Sequence, residues 1–186
     1  VRLVETRTGF HRVQLEQGSL WARVWAPPGQ FGVGVAGADV IDLGCEFLLK
    51  VDADGSGSLS VLSGWVQVDN LRREVLVPQG ARMAIHGDGA AGTPHAHSAS
   101  PDFVAALAAI DTRDGEVDPD GAEVRRLLEA SQASDAISLL VLLRDYPRLA
   151  DGPMFERLAQ LLPTATPATR AAWHADRMAV LNTWWD

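Results

Sequence analysis

The 186-residue sequence has little of what would tie it to several large functional classes. It has one cysteine, Cys45, which excludes an intramolecular disulfide and any cysteine-based zinc cluster. Positive charge is scarce: 16 basic residues stand against 24 acidic ones, a net charge of −8, so phosphate backbones and anionic lipid surfaces repel the chain and nucleic acid is not expected as a partner. Eight basic and ten acidic residues lie up to residue 100, eight and fourteen after it, so the acidity belongs mostly to the second half. No run of 18 apolar residues is present, and Val1-Arg2-Leu3-Val4-Glu5 lacks both a signal-peptide pattern and an initiator Met, so the sequence reads as an excised fragment and any targeting or membrane segment is expected outside it. No G-x-S-x-G elbow, H-E-x-x-H pair or G-x-x-x-x-G-K-[ST] loop occurs.

What is present is apolar β-type sequence. Val40–Val51 and Leu59–Val68 are strand-like runs joined by Asp52-Ala53-Asp54-Gly55-Ser56-Gly57-Ser58, a reversal rich in residues that accept positive φ. Gly44 and Gly64 interrupt the runs where a side chain would not fit. Further short strands are predicted at Phe31–Val35, Glu74–Val77 and Ala81–Ile85. In Leu20–Trp25, Leu20, Ala22 and Val24 alternate with Trp21, Arg23 and Trp25, so both faces of that strand carry bulk. The residues from His86 to Ser100 read as a linker of small and turn-forming residues.

Beyond Ser100 the period becomes helical. Ser100 is an N-cap, Pro101 a first helical residue, and Phe103, Leu107 and Ile110 share one face. Val124, Leu127 and Leu128 mark a second helix, Ser134 is expected to cap a third through Leu143, and Pro153 to Leu162 form a fourth. Thr166 is expected to cap a fifth, from Pro167 to about Trp184. The fold class is therefore α+β: an all-β solenoid- or sandwich-like domain over residues 1–97, then a bundle of about five helices over residues 98–186, arranged as two stacked hairpins and a connecting helix.

Several motifs resemble sites and read better as structure. Gly32-Val33-Gly34-Val35-Ala36-Gly37 satisfies the dinucleotide pattern G-x-G-x-x-G, but a strand follows it where the phosphate-binding helix should begin. His95-Ala96-His97, with Gly89 before and Asp102 after, is half of a cupin metal motif. A metal-dependent enzyme using His95 and His97, with His86 or Asp102, is the alternative from a different functional class. The Asp52–Gly55 and Asp118–Gly121 segments are polar turns rather than calcium loops. Cys45, in an apolar strand beside Glu46, is expected buried with a raised thiol pKa. Neither a catalytic residue nor a cofactor is expected. Six tryptophans divide between core and interface, with Trp21, Trp25, Trp184 and Trp185 as interface candidates because adjacent Trp184 and Trp185 cannot both face one core.

The strand run resembles the FecR family of extracytoplasmic regulatory domains. The matching residues are Phe31–Val35, the Asp42-Leu43-Gly44-Cys45-Glu46-Phe47 segment, Leu59–Val68 with Leu62, Gly64 and Val66, and the Val77-Pro78-Gln79-Gly80-Ala81 turn. The resemblance implies a non-enzymatic sensor on the periplasmic face of a bacterial inner membrane. It would be anchored by a membrane helix that follows a cytoplasmic anti-sigma segment, and would act through a protein partner. Ala81 stands where the family has glutamine, and the C-terminal part reads as helices where iron-transport members have strands. A structural or glycan-binding envelope module is the third reading, favoured if Trp21, Trp25 and Trp65 form an exposed row.

Overall fold

The computed structural model describes residues 1–70, 73–113, 115–162 and 168–185, with Trp185 described by its backbone alone. The chain has two units, Val1–His97 and Ser98–Asp186, the first of strands and the second of helices, an α+β class.

Eleven strands among the described residues make up the first unit: β1 (Arg2–Arg7), β2 (Phe10–Gln14), β3 (Gly18–Arg23), β4 (Phe31–Val35), β5 (Ala38–Asp42), β6 (Glu46–Val51), β7 (Gly57–Ser63), β8 (Trp65–Asn70), β9 (Glu74–Pro78), β10 (Ala81–Ile85) and β11 (His95–Ala96). They form a six-stranded sheet in the order β1-β2-β4-β5-β8-β9 and a five-stranded sheet in the order β11-β10-β7-β6-β3.

Each of the two long apolar runs expected as single strands is divided between these sheets. β5 pairs with β8 in the larger sheet and β6 with β7 in the smaller one, so one long hairpin folds across its middle and supplies a strand pair to each layer. The fold line runs through Gly44 (φ 88°) and Gly64 (φ 70°), backbone conformations that L-residues rarely adopt. A Cβ on Gly64 would overlap the Gly44 carbonyl oxygen, so the two corners also touch. The Leu43 N–H donates to the Trp65 carbonyl across the fold (3.2 Å).

The flanking strands turn at the same corner. Between β3 and β4, Val24 N–H donates to Cys45 O (3.0 Å) and Gly29 N–H to Asp42 O (2.7 Å). Between β9 and β10, Gln79 N–H donates to Gly64 O (2.9 Å) and Gly80 N–H to Val61 O (2.9 Å). Strands β4, β5, β8 and β9 therefore lie over β3, β6, β7 and β10 respectively. Their facing side chains run in register as Val33, Val40, Val68 and Val75 in one layer and Leu20, Leu49, Leu59 and Met83 in the other. All but half-buried Leu20 are fully buried in one apolar core, each stabilising the unit by about 1.5–3 kcal/mol relative to exposure.

The stretch from His86 to Ser100 differs from the expected linker. Ala91, Gly92, Thr93 and Pro94 are buried, and β11 pairs with β10. The backbone demand of this segment is met by the unit beneath it: Asn70 Nδ2 donates to Gly89 O (3.1 Å), Arg73 to Ala91 O (2.5 Å), and Gly92 N–H to Ala84 O (2.8 Å).

The second unit comprises α1 (Pro101–Asp111), α2 (Ala122–Ala130), α3 (Ala136–Asp145), α4 (Met154–Leu161), α5 (Arg170–Ala175) and α6 (Arg177–Trp185). Ser100 caps α1 by accepting from Phe103 N–H (3.2 Å), and Phe103, Leu107 and Ile110 are buried. α3 is entered through a 3₁₀ turn closed by a reciprocal Gln132–Asp135 capping box, not by Ser134, because Gln132 and Asp135 have the N-cap to N3 spacing. The expected Thr166 cap and Pro167 start lie outside the described residues. Past them, the single expected helix is two: α5 ends at Asp176, whose φ of −152° breaks it and whose Oδ1 accepts from Ala179 N–H (3.0 Å) at the start of α6. Arg170 holds the start of α5 to Glu156 and to the carbonyls of Asp151 and Gly152.

The corner is testable. Gly64→Ala, which combines positive φ with backbone overlap, is expected to destabilise the β unit by about 3 kcal/mol. Gly44→Ala, with open space around its Cβ position, should cost about 1 kcal/mol. Urea denaturation followed by circular dichroism compares the two; equal effects would show that the overlap is unimportant.

Candidate protein-interaction face

Alternation that sends one set of side chains into the core sends the other outward on the smaller sheet. Trp21 lies opposite Leu48, Leu48 opposite Ser60, Ser60 opposite Arg82 and Arg82 opposite His95, a row from edge to edge. Between β6 and β7 the register shifts: Phe47 faces Val61 but Glu46 faces Ser63, so Leu62 is the extra residue of a bulge. Trp21 is 61 %, Leu48 42 % and Leu62 45 % exposed, which makes an apolar patch of three neighbouring outward positions.

Polar contacts hold the aromatic part in place. Trp21 Nε1–H donates to Glu46 Oε1 (3.1 Å), the second Glu46 oxygen lies 3.6 Å from Arg23 Nε, and the Arg23 guanidinium sits 4.8 Å from the Trp25 ring centroid. Trp25, 83 % exposed, has the highest exposure of the large apolar side chains among the described residues. Trp65 is 40 % exposed on β8 at the corner, in the other sheet. Apolar anchors ringed by charged groups are the composition of a protein interface.

The other predicted residues divide clearly. Asp42, Phe47 and Val66 are fully buried, and Gly44, Gly64 and Gly80 are the positive-φ glycines of the corner. Leu62, matched to the same motif, is instead on the surface patch. Trp184, one of the interface candidates, is buried in the helical core, 5.1 Å from the Phe155 ring and 6.3 Å from that of Trp173. The Trp185 side chain lies outside the described residues. Glu46, Leu48 and Arg23 were missed because Leu48 hides in the apolar run Phe47-Leu48-Leu49, although strict alternation from buried Phe47 and Leu49 puts it outside.

The motifs read as structure have structural explanations. Gly32 and Gly34 sit in β4 under the side chains of Arg12 and Gln14, and Ala36 and Gly37, both of positive φ, form the two-residue turn to β5. The Asp54 carboxylate accepts from Ser56 Oγ and N–H (2.6 and 2.9 Å), which holds its pKa below the usual range. In the second turn Asp118 Oδ1 accepts from Asp120 N–H (3.1 Å). His95 Nδ1 contacts Ala96 O (3.0 Å), and His97 is lowered in pKa by burial and by the charges of Arg82 and His95. His86 is half-buried on the β unit, and Asp102 is exposed in the first turn of α1. Among the described residues, no three His, Cys, Asp or Glu side chains are grouped to hold a metal.

Asp42 and Cys45 form a buried pair at the corner. Asp42 Oδ1 accepts from both the Cys45 N–H (2.8 Å) and its thiol (2.6 Å). Burial first, and then the Asp42 hydrogen bond and charge, push the thiol pKa up to about 12. Such a thiol is inert as a nucleophile.

The sequence matches no family model and no curated protein. Two crystal structures of a "putative anti-sigma factor" from Parabacteroides distasonis, at 1.65 and 2.50 Å resolution, each match at 23 % identity with a TM-score of 0.41. The match covers 56 % of this chain and 49 % and 48 % of theirs, so the chain spans about half the length of those proteins. At that TM-score the likeness bears on neither partner nor activity.

The Cys45 pair yields a pH prediction. The folded thiol binds its proton more tightly than the unfolded one, whose pKa is 9.0, so stability should fall as pH rises above about 9. Cys45→Ser is expected to flatten that decline in urea titrations at pH 8 to 10.5. An equal decline in both proteins would assign it to other groups.

Proposed function

We propose that the chain is a non-enzymatic regulatory module that works by binding a protein through the Trp21–Leu48–Leu62 face. The observation that supports this reading is the patch itself: two large apolar side chains and an indole held outward, their positions fixed by Glu46 and by the bulge at Leu62. The Asp42–Phe47 and Leu59–Val68 motif adds the FecR-like setting. On this reading the module stands on the periplasmic side of a bacterial inner membrane, tethered by a segment outside the chain, and passes a signal to an anti-sigma segment.

A second reading is a glycan platform, favoured by one observation: Trp21, Trp25 and Trp65 are all exposed, and the Trp21 ring is oriented by its bond to Glu46. Titration of tryptophan fluorescence with peptidoglycan fragments separates the two, since saturable quenching would support the platform and silence the protein interface.

Trp21→Ser removes a side chain that is 61 % exposed and makes one surface hydrogen bond, and Trp25→Ser one that is 83 % exposed, so each should cost the fold no more than about 1 kcal/mol. In the full gene product each is expected to weaken partner capture about 30-fold, on the order of 2 kcal/mol for an aromatic anchor, and to blunt a sigma-dependent reporter. Full signalling by the double variant would sink the proposal.

A further inference from the structure

The two layers of the β unit do not match in width. Strands β4, β5, β8 and β9 each lie over a strand of the smaller sheet, but β2 and β1 extend the larger sheet past β4 while, among the described residues, no strand follows β3. The larger sheet therefore overhangs by two strands, and among the described residues the smaller sheet has a vacancy of the same width in its strand order beside β3.

On the inward face of the overhang one row continues the core, while the next, Thr6 opposite His11, is polar, with Thr6 Oγ1 2.8 Å from His11 Nδ1. The row Val75, Val68, Val40 and Val33 runs on in register through Val13 on β2 to Leu3 on β1. Burial decays along it: the four valines are fully covered, Val13 is half-buried against the core, and Leu3 is 62 % exposed. Val1 beyond it is 73 % exposed. Every residue of β1 is exposed. The outward face differs in kind, being finished for water: the Arg7 and Arg12 guanidinium groups lie 4.7 and 4.1 Å from the Phe10 ring centroid, and Glu5 pairs with Arg7 at 3.1 Å.

The vacancy is bordered by an open ladder. Val24 N–H points to β6, where it meets Cys45 O, so by alternation Ser19, Trp21 and Arg23 direct their N–H and C=O groups to the free side of β3.

We propose that a second copy of this chain fills the vacancy, each copy inserting its β1–β2 hairpin beside β3 of the other. The support is self-complementarity. A two-fold axis parallel to the strands and midway between the layers carries the overhang of one copy into the empty layer of the other. β1 then lies next to the partner's β3, and the two hairpins cover each other's Leu3 and Val13. Both open edges, β1 and β3, are paired in one step, and the interface is isologous and closed, which limits assembly to a dimer. The inference is independent of the Trp21 patch, whose side chains point away from the layer interior.

Sedimentation of the 186-residue chain at micromolar to tens of micromolar concentration tests this. The expected result is a species of twice the 20.0 kDa chain mass. Leu3→Asp places a charge on the covered row and should weaken dimerisation at least 100-fold without changing far-UV circular dichroism. Ser19→Pro removes an N–H directed to the vacancy and should do the same; a proline is tolerated on an edge strand when its missing donor faces outward. If Ser19→Pro fails to fold, Leu3→Asp decides alone, because its site is exposed. A monomer at all concentrations, or a dimer that survives Leu3→Asp, overturns the proposal; a dimer lost only in Trp21→Ser overturns it in favour of the outer face.

Discussion

The β unit depends on one close approach, that of the Gly64 Cα to the Gly44 carbonyl at the corner of the folded hairpin. Because no side chain fits there, the two central strand pairs can bend together and stay hydrogen-bonded to each other on both sides of the bend. Their neighbours are then guided by corner hydrogen bonds: 24–30 by Cys45 and Asp42, Gln79–Gly80 by Val61 and Gly64. The corner thus fixes which strand lies over which. It also explains why a carboxylate is fully buried in an apolar unit, since Asp42 closes the turn through Cys45.

The fold is written in the phase of the alternation more than in its existence. Buried positions are even-numbered in β5 (Ala38, Val40, Asp42) and odd-numbered in β6 (Phe47, Leu49, Val51); they are odd in β7 (Leu59, Val61) and even in β8 (Val66, Val68). A one-residue slip turns every side chain to the other face; in each of these two continuous runs the phase changes once, at Gly44 or Gly64, where the strand passes from one layer to the next. The expectation of two long strands saw the glycines but not the phase. The helical breaks were similarly visible only as caps: Asp176 and the Gln132–Asp135 pair are short-range signals that compete with continuous apolar periodicity, and the periodicity hid them.

Tryptophan is where composition is least informative. Trp173 and Trp184 build the helical core around Phe155, whereas Trp21 and Trp25 stand in water. In β3 the neighbouring inward residues, Leu20 and Ala22, are also apolar, so alternation alone leaves both faces open to burial. The decision is made by width: Leu20 and Ala22 face the core, and among the described residues of the β unit no third layer of strands lies outside Trp21. Glu46 and Arg23 then order the indole rings at the surface instead of in a core.

The treatment of the sheet edges gives the same picture from the opposite side. An edge strand exposes unpaired backbone groups and is normally blunted. At one end this unit does so: β11 pairs with β10, and the buried segment Ala91–Pro94 is held by Arg73 and by the Ala84 carbonyl. At the other end, among the described residues, no further strand pairs with the outer edges of β3 and β1, neither strand contains a proline, and Leu3 on β1 and Val1 before it are apolar and exposed. A unit that closes one edge with residues 86–96 and leaves the opposite strands open and complementary in width has separated the two ends by role. The closed end completes the core; the open end leads outward.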